Sequence, residues 1–381
     1  MSAKVNVDPN VLVWFRKDAG YDDVNSLPKS IRGNVIKWES GEKKPTWNQL
    51  RQLGNKYKRP ATFFLIKNPK KSFEEEFTDY RTLTEITTHK SPNFIYEIRR
   101  AIKRRNIILD LLDQDITSFN PFSSIEFTKK NTLSYSHIIR KILEINIEEQ
   151  MKWGREDNKH YFALKEWKKA VENLNILIFE TRGVDVEEFR GLSISEFPFP
   201  IILLNGSDSP NARIFTLLHE LIHIIQNNNA ICDLTETRTI EVFCNRLAGE
   251  ILVPENYLEE LIEQNRIVKF IDNDIVHLSH IFGVSRDVIL TRLRILNKIS
   301  QADYDQTINR WKEEYLQKPK QERGGGAFDY RTILKLNGRL FTKVVIDAYE
   351  KGDVNSVEFS RYLGGVKLKH IPDLQESVGG K

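Results

Sequence analysis

Two histidines four residues apart enclose a glutamate in His219-Glu220-Leu221-Ile222-His223, and this spacing specifies a metal site. On an α-helix, positions i and i+4 sit one turn apart on the same face, so both imidazoles can reach one ion from a single rigid support. Glu220 falls to one side of the pair, where its carboxylate can hold a water and take its proton. That is the role of the glutamate in His-Glu-x-x-His metalloproteases. The competing reading, two hydrogen-bonded core histidines, leaves a third nearby carboxylate unexplained. Glu241 lies 18 positions beyond His223, and two His plus one Glu, with water in the fourth position, form a recognised catalytic zinc set. Asn245, one turn after Glu241, shares its face and is expected to accept the outer N–H of a ligand histidine. Cys232 and Cys244 are the only cysteines. Both fall near this region, where small buried hydrophobes are favoured over thiolate ligands.

These side chains need a helical hairpin to bring them together. Leu217, Leu218, Leu221, Ile222, Ile224 and Ile225 make the first helix apolar nearly all round, which requires burial. After a polar break at Asn227, Asn228 and Asn229, Asp233-Leu-Thr-Glu236 carries an N-cap signature. It opens a second helix that holds Glu241 and ends before Pro254. Upstream, strands are expected at 175–179, 191–195 and 200–204, with a turn over Asn205, Ser207, Asp208 and Ser209 leading back to the helix. Three strands followed by the helix suggest a small sheet whose edge runs beside the metal. Such an edge can hold a substrate in extended form by main-chain pairing.

At these residues the chain resembles the ImmA/IrrE family of zinc-dependent metallo-endopeptidases. The resemblance rests on Arg213-Ile-Phe-Thr-Leu-Leu-His-Glu-Leu-Ile-His223, on Glu241-Val-Phe-Cys-Asn-Arg-Leu-Ala-Gly-Glu-Ile-Leu-Val-Pro254, and upstream on Phe189-Arg-Gly-Leu-Ser193 and Pro200-Ile-Ile-Leu-Leu-Asn205. It implies Zn²⁺ held by His219, His223 and Glu241, with Glu220 as catalytic base. It also implies a repressor-like protein substrate in a stress-response, phage or mobile-element circuit. Ile222 stands where many members have Gly, a departure that affects packing and not chemistry. The donor completing the oxyanion site is not identified by the motif; Tyr330, Arg331, His277 and Arg213 are candidates.

With 381 residues the chain can hold two or three domains with proper cores. It contains no apolar run long enough to cross a bilayer and no signal-peptide core, so no membrane association and a cytoplasmic location are expected. The net charge of +4 decides little, but its distribution is informative. Residues 29–71 carry 12 basic and two acidic side chains, a basic module on a slightly acidic body. Within that module, Ile36-Lys-Trp-Glu-Ser-Gly-Glu-Lys-Lys-Pro-Thr-Trp-Asn-Gln-Leu50 resembles the end of the helix-turn-helix domain of XRE-type repressors. This implies duplex DNA contacts from Lys29, Arg32, Asn34, Lys37, Lys43 and Lys44. Pro28 interrupts the helix expected there, and a degenerate scaffold domain is the alternative.

The expected fold class is α+β and mostly helical. It comprises a helix-turn-helix-like module (1–70), a helical connecting region (71–165), a zincin-like peptidase domain with a small sheet (166–300) and a helical C-terminal region (301–381). Phe77 to Leu83 resembles a segment that follows such modules in fused ImmA/IrrE proteins, and Gly324 to Gly326 marks a joint. A long helix over 92–112 carries Arg99, Arg100, Lys103, Arg104 and Arg105, expected on a solvated face, with a second nucleic-acid stripe as the alternative. Residues 281–293 have the cadence of a helix-turn-helix, which as a family feature packs under the peptidase core. His277 and His280 lack an accompanying carboxylate for a second metal site. Two functional readings follow: a zinc endopeptidase cutting a specific protein, or a DNA-binding regulator or antitoxin-like partner of a toxin-like protein, using the same fold for recognition.

Overall fold

The computed structural model describes all residues except 1–2, 68, 70–90, 113–119, 124, 126–131, 155–158, 229–236, 268, 318–329 and 380–381. The expected N-cap signature at 233–236, Cys232, the 77–83 segment and the glycine joint lie outside the described residues.

Short, well-capped helices open the chain. The Asp8 carboxylate caps α1 (Pro9–Asp18) by accepting the N–H of Asn10. Pro28 does not interrupt a helix; it is the N-cap of α2 (Lys29–Glu39), just ahead of the first turn, where backbone N–H groups have no intrahelical partner. Thr46 and Gln49 form a capping box on α3 (Trp47–Tyr57). Phe15, Val35, Trp38, Leu50, Tyr57 and Phe64 close a core over these helices. Arg16 reaches across it to Glu39 at 2.9 Å and to the carbonyls of Tyr21 and Asp22 at 2.6 Å each.

Between these helices and the sheet, the described residues form α4 (Pro92–Leu111), α5 (Thr132–Ile142), α6 (Ile147–Trp153) and α7 (Lys159–Glu172). The strands β1 (Leu177–Glu180), β2 (Gly191–Ile194) and β3 (Ile201–Leu204) are arranged in the order β1-β3-β2, with β1 parallel and β2 antiparallel to β3. There follow α8 (Pro210–Asn228), α9 (Thr237–Leu252), α10 (Glu255–Gln264), α11 (Asp272–Phe282), α12 (Arg286–Ile295), α13 (Gln301–Gln317), α14 (Tyr330–Asn337), α15 (Arg339–Lys351), α16 (Ser356–Tyr362) and α17 (Ile371–Gly379).

Strand alternation divides the core into two. Ile178, Ile202 and Leu204 face the cluster built on α8 and α9, whereas Phe179, Leu192, Ile194 and Leu203 face a second cluster formed with α4 and α14–α17. The sheet is therefore the middle layer of three. The architecture is α+β and mostly helical, with one small sheet and helical regions around it. In the segment with helix-turn-helix cadence, Phe282, Ile289, Leu290 and Leu293 belong to the α8 cluster, and Arg292 forms a buried ion pair with Glu250 of α9.

On α4, Lys103 is exposed as expected, whereas the four arginines are turned to partners inside the fold. Arg104 is 4 % exposed; it donates to the Leu336 carbonyl and to Asn337, with its guanidinium 4.9 Å from the Phe179 ring centre. Arg105 donates to the carbonyls of Glu196, Pro198 and Phe199. Arg99 pairs with Asp18 of α1 at 2.7 Å, and Arg100 with Glu97. The helix is a hub in which cations satisfy buried carbonyls.

Candidate metal centre

Leu217, Leu218, Leu221, Ile222, Ile224 and Ile225 are all fully buried, so α8 has no freedom to rotate about its axis. Its close neighbour is β2. A Cβ built on Gly191 would overlap the Thr216 methyl and lie 3.2 Å from Glu220 Cγ, so only glycine lets strand and helix approach this closely. α9 packs along α8 and α5 and carries Glu241 to the same point.

Three donor residues converge there. His219 Nε2 and His223 Nε2 are 3.0 Å apart, and Glu241 places one carboxylate oxygen 3.2 Å from the first and the other 3.0 Å from the second. Tetrahedral zinc with bonds of about 2.0–2.1 Å separates its ligands by about 3.3 Å, close to this triangle. His219, His223 and Glu241 are also the residues whose donor atoms form a metal-competent cluster among the described residues. The donor set therefore fits zinc.

The charges suit a cation. Burial pulls the His219 imidazole down, but its hydrogen bond to Glu241 and the charges of Glu220 and Glu241 outweigh this and leave it above its usual range. Hydrogen bonds from His219 and His223 hold the Glu241 carboxyl far below the usual carboxylate range, in the ionised form that a metal requires. Glu220 is 7 % exposed and accepts a 2.8 Å hydrogen bond from the Ser193 hydroxyl of β2.

Behind the ligands Cys244 is buried, as the sequence led one to expect. His223 Nδ1 rests 3.9 Å from the Cys244 sulfur, which itself donates to Gln226 at 3.3 Å. Cys244 is thus a buried residue behind a histidine and not a fourth ligand. Asn245 lines the pocket near His219, but His219 Nδ1 is buried without a hydrogen-bond partner. The Asn245 side chain nevertheless stands where it favours the protonated His219 ring, on the side the sequence assigned to it.

The site opens into a pocket of about 380 Å³ lined by Arg190, Gly191, Leu192, Phe215, Thr216, His219, Glu220, His223, Glu241 and Asn245. None of the four candidate oxyanion donors is among them. Arg213 is buried in an ion pair with Glu180 at 2.6 Å, His277 is exposed on α11, and Tyr330 and Arg331 belong to α14 on the far side of the sheet. Arg190, held by Asp208 at 3.1 Å, is the cationic residue that does line the pocket. Sequence reasoning missed Ser193, Gly191 and Arg190, although the Phe189–Ser193 stretch had been noted. In the N-terminal module, Lys29, Asn34, Lys43 and Lys44 are exposed and Lys37 is half-buried. Arg32 instead donates twice to the Leu27 carbonyl, at 3.1 and 2.7 Å, and braces the start of α2.

Residues 171–294 match the family model of Peptidase M78, the IrrE N-terminal-like domain. No curated protein and no solved structure matches the chain. The matched stretch runs from the end of α7 to the end of α12 and contains every residue of the metal cluster. Over this stretch the chain is similar to metallopeptidase-type domains of the ImmA/IrrE kind. No helix among the described residues is long and apolar enough to cross a membrane.

Proposed function

We propose that the chain is a zinc-dependent endopeptidase that cuts a specific cytosolic protein, of the repressor type, presented in extended form beside β2. The observation that carries this reading is the convergence of His219, His223 and Glu241 with the Glu220 carboxylate held beside them at the pocket floor. A zinc ion bound by those three residues would supply Lewis acidity toward a water and the scissile carbonyl. Glu220 accepts the proton of that water and returns it to the departing amine. Asn205 donates to the Arg190 carbonyl at 2.8 Å, which fixes the hydrogen-bonding phase of β2 against β3. The alternation then directs the main-chain N–H and C=O of Gly191 away from β3, where a substrate backbone can pair.

Co-expression with proteins encoded nearby, followed by mass spectrometry for new internal termini, tests the reading. Wild type should cut one partner. Glu220→Gln should keep about one zinc per chain and lose the cut, since general-base loss costs roughly 10²–10⁴-fold in rate. His223→Ala and Glu241→Ala should lose zinc. Equal partner binding by wild type and Glu220→Gln, with no cut by either, would favour the second reading. In that reading, a DNA-binding regulator or antitoxin-like protein uses the fold to recognise a toxin-like partner. The exposed basic residues on and after α2 are the observation in its favour.

A further inference from the structure

We infer that Ser193 is a positioning residue for Glu220: its hydroxyl fixes one carboxylate oxygen and leaves the other facing the pocket. The inference rests on the peptidase reading of the site. Ser193 is fully buried, and its Oγ–H donates to Glu220 Oε2 at 2.8 Å. The second oxygen, Oε1, lies beside Gly191, where an added Cβ would come within 3.3 Å of it, and Gly191 lines the pocket. One strand therefore seats both oxygens, one by a charge-assisted hydrogen bond and the other by the missing side chain.

A glutamate has three side-chain torsions, and without such a clamp its carboxylate would spend its time in several rotamers. A base must lie within hydrogen-bond reach of the proton it takes, so the clamp selects the useful rotamer in advance. The same two residues bear on substrate binding. Gly191 and Ser193 form the pairs of β2 and β3 whose main-chain groups point outward, since the hydrogen-bonded pairs are those in phase with Arg190 and Asn205. A peptide pairing with β2 is consequently aligned by the residues that hold the base. The reaction's register and its proton acceptor are set by a single four-residue element.

Acetohydroxamate binding to the zinc-loaded full chain tests this without a known substrate, because a hydroxamic acid gives up a proton on chelation and Glu220 is placed to accept it. Ser193→Ala should retain one zinc per chain with unchanged zinc affinity but bind acetohydroxamate about 10-fold more weakly, the loss typical of one hydrogen bond to a charged group. Glu220→Gln should show a loss at least as large. Ser193→Cys, which keeps the volume with a weaker donor, should fall between and serves if the alanine variant does not fold. Full hydroxamate affinity in the Ser193 variants, together with a loss in Glu220→Gln, would overturn the positioning role and leave the peptidase reading standing. Unchanged affinity in Glu220→Gln, or no zinc on the wild type, would overturn both.

Discussion

Glu220 depends on neighbours that no spacing rule connects to it. Gly191 is 29 positions earlier in the chain, yet its missing side chain sets how near β2 comes to α8. Gly191→Ala should therefore push strand and helix apart. We expect a destabilisation of about 1–3 kcal/mol, as for other overpacked sites, read as a fall in thermal midpoint. Thr216→Ser removes the methyl that the new Cβ would meet. The double variant should recover part of the loss; no recovery would place the strain elsewhere. The contrast with the ligands explains what could be read in advance. His219 and His223 lie on one helix, whose period is fixed by backbone geometry, so their shared face is visible in five letters of sequence. Glu241 followed because a second helix expected a few residues after the first admits few placements. Ser193 and Gly191 act across a strand-to-helix contact whose register depends on the whole sheet, and a serine or glycine in a strand carries no mark of that use. Asn245 is placed beside His219 by the same helical period that places Glu241, since both share one face of α9.

At the scale of elements, strand positions and the zinc-helix hairpin were legible, because alternation and continuous apolar runs report burial directly. The α4 arginines were not. A run of basic residues reads as solvated unless carbonyls from distant segments are known to need donors, and here those carbonyls belong to residues 196–199 and 336. A parallel case joins α7 to α15. Glu172 Oε1 accepts the N–H groups of Arg339 and Leu340, at 2.7 and 3.1 Å, at the start of α15. Gly338 takes φ +73 there, and a Cβ on it would overlap the Ile178 carbonyl, so both its backbone and its surroundings require glycine. Burial raises the Glu172 carboxyl above its usual range, although Lys168 and the two N–H groups oppose this. A raised folded-state value means that the fold favours the protonated form. The corresponding stability is present below the ordinary glutamate range and is lost as pH rises through the raised value. Glu172→Gln keeps the acceptor and removes the titration, so its thermal midpoint should gain on wild type as pH rises from about 4 toward neutrality. Glu172→Ala strips the acceptor from two N–H groups and should cost about 1–3 kcal/mol at low pH, the deficit narrowing as pH rises because the titration is removed as well. A glutamine variant that loses ground with rising pH would show that the buried charge stabilises the junction.

On the scale of the whole molecule, the N-terminal helices close a core of their own, yet they are tied to the rest by charge. Asp18, with its side chain 1 % exposed, accepts from Arg59 at 2.9 Å within the module and from Arg99 of α4 at 2.7 Å. This tie affects how DNA binding by the module must be tested. Deleting residues 1–70 would uncover Arg99 and create a cationic site on the remaining body, so a truncation could bind DNA for an artificial reason. Charge-neutralising substitutions avoid this. Lys29, Lys43 and Lys44 are exposed and Lys37 is half-buried, whereas Arg32 is committed to the Leu27 carbonyl. We predict weak, salt-sensitive binding of the full chain to duplex DNA through these lysines. Replacing all four with Gln should flatten the slope of log affinity against log salt by up to about 3–4, since each phosphate contact contributes roughly 0.9. Arg32→Gln should lower the thermal midpoint by loosening the start of α2, with a smaller effect on the slope than the lysine changes. An unchanged slope in the four-lysine variant would remove the α2 face as a DNA-binding surface; α4 offers the exposed Lys103 there, but its arginines are already spent on Asp18, Glu97 and buried carbonyls.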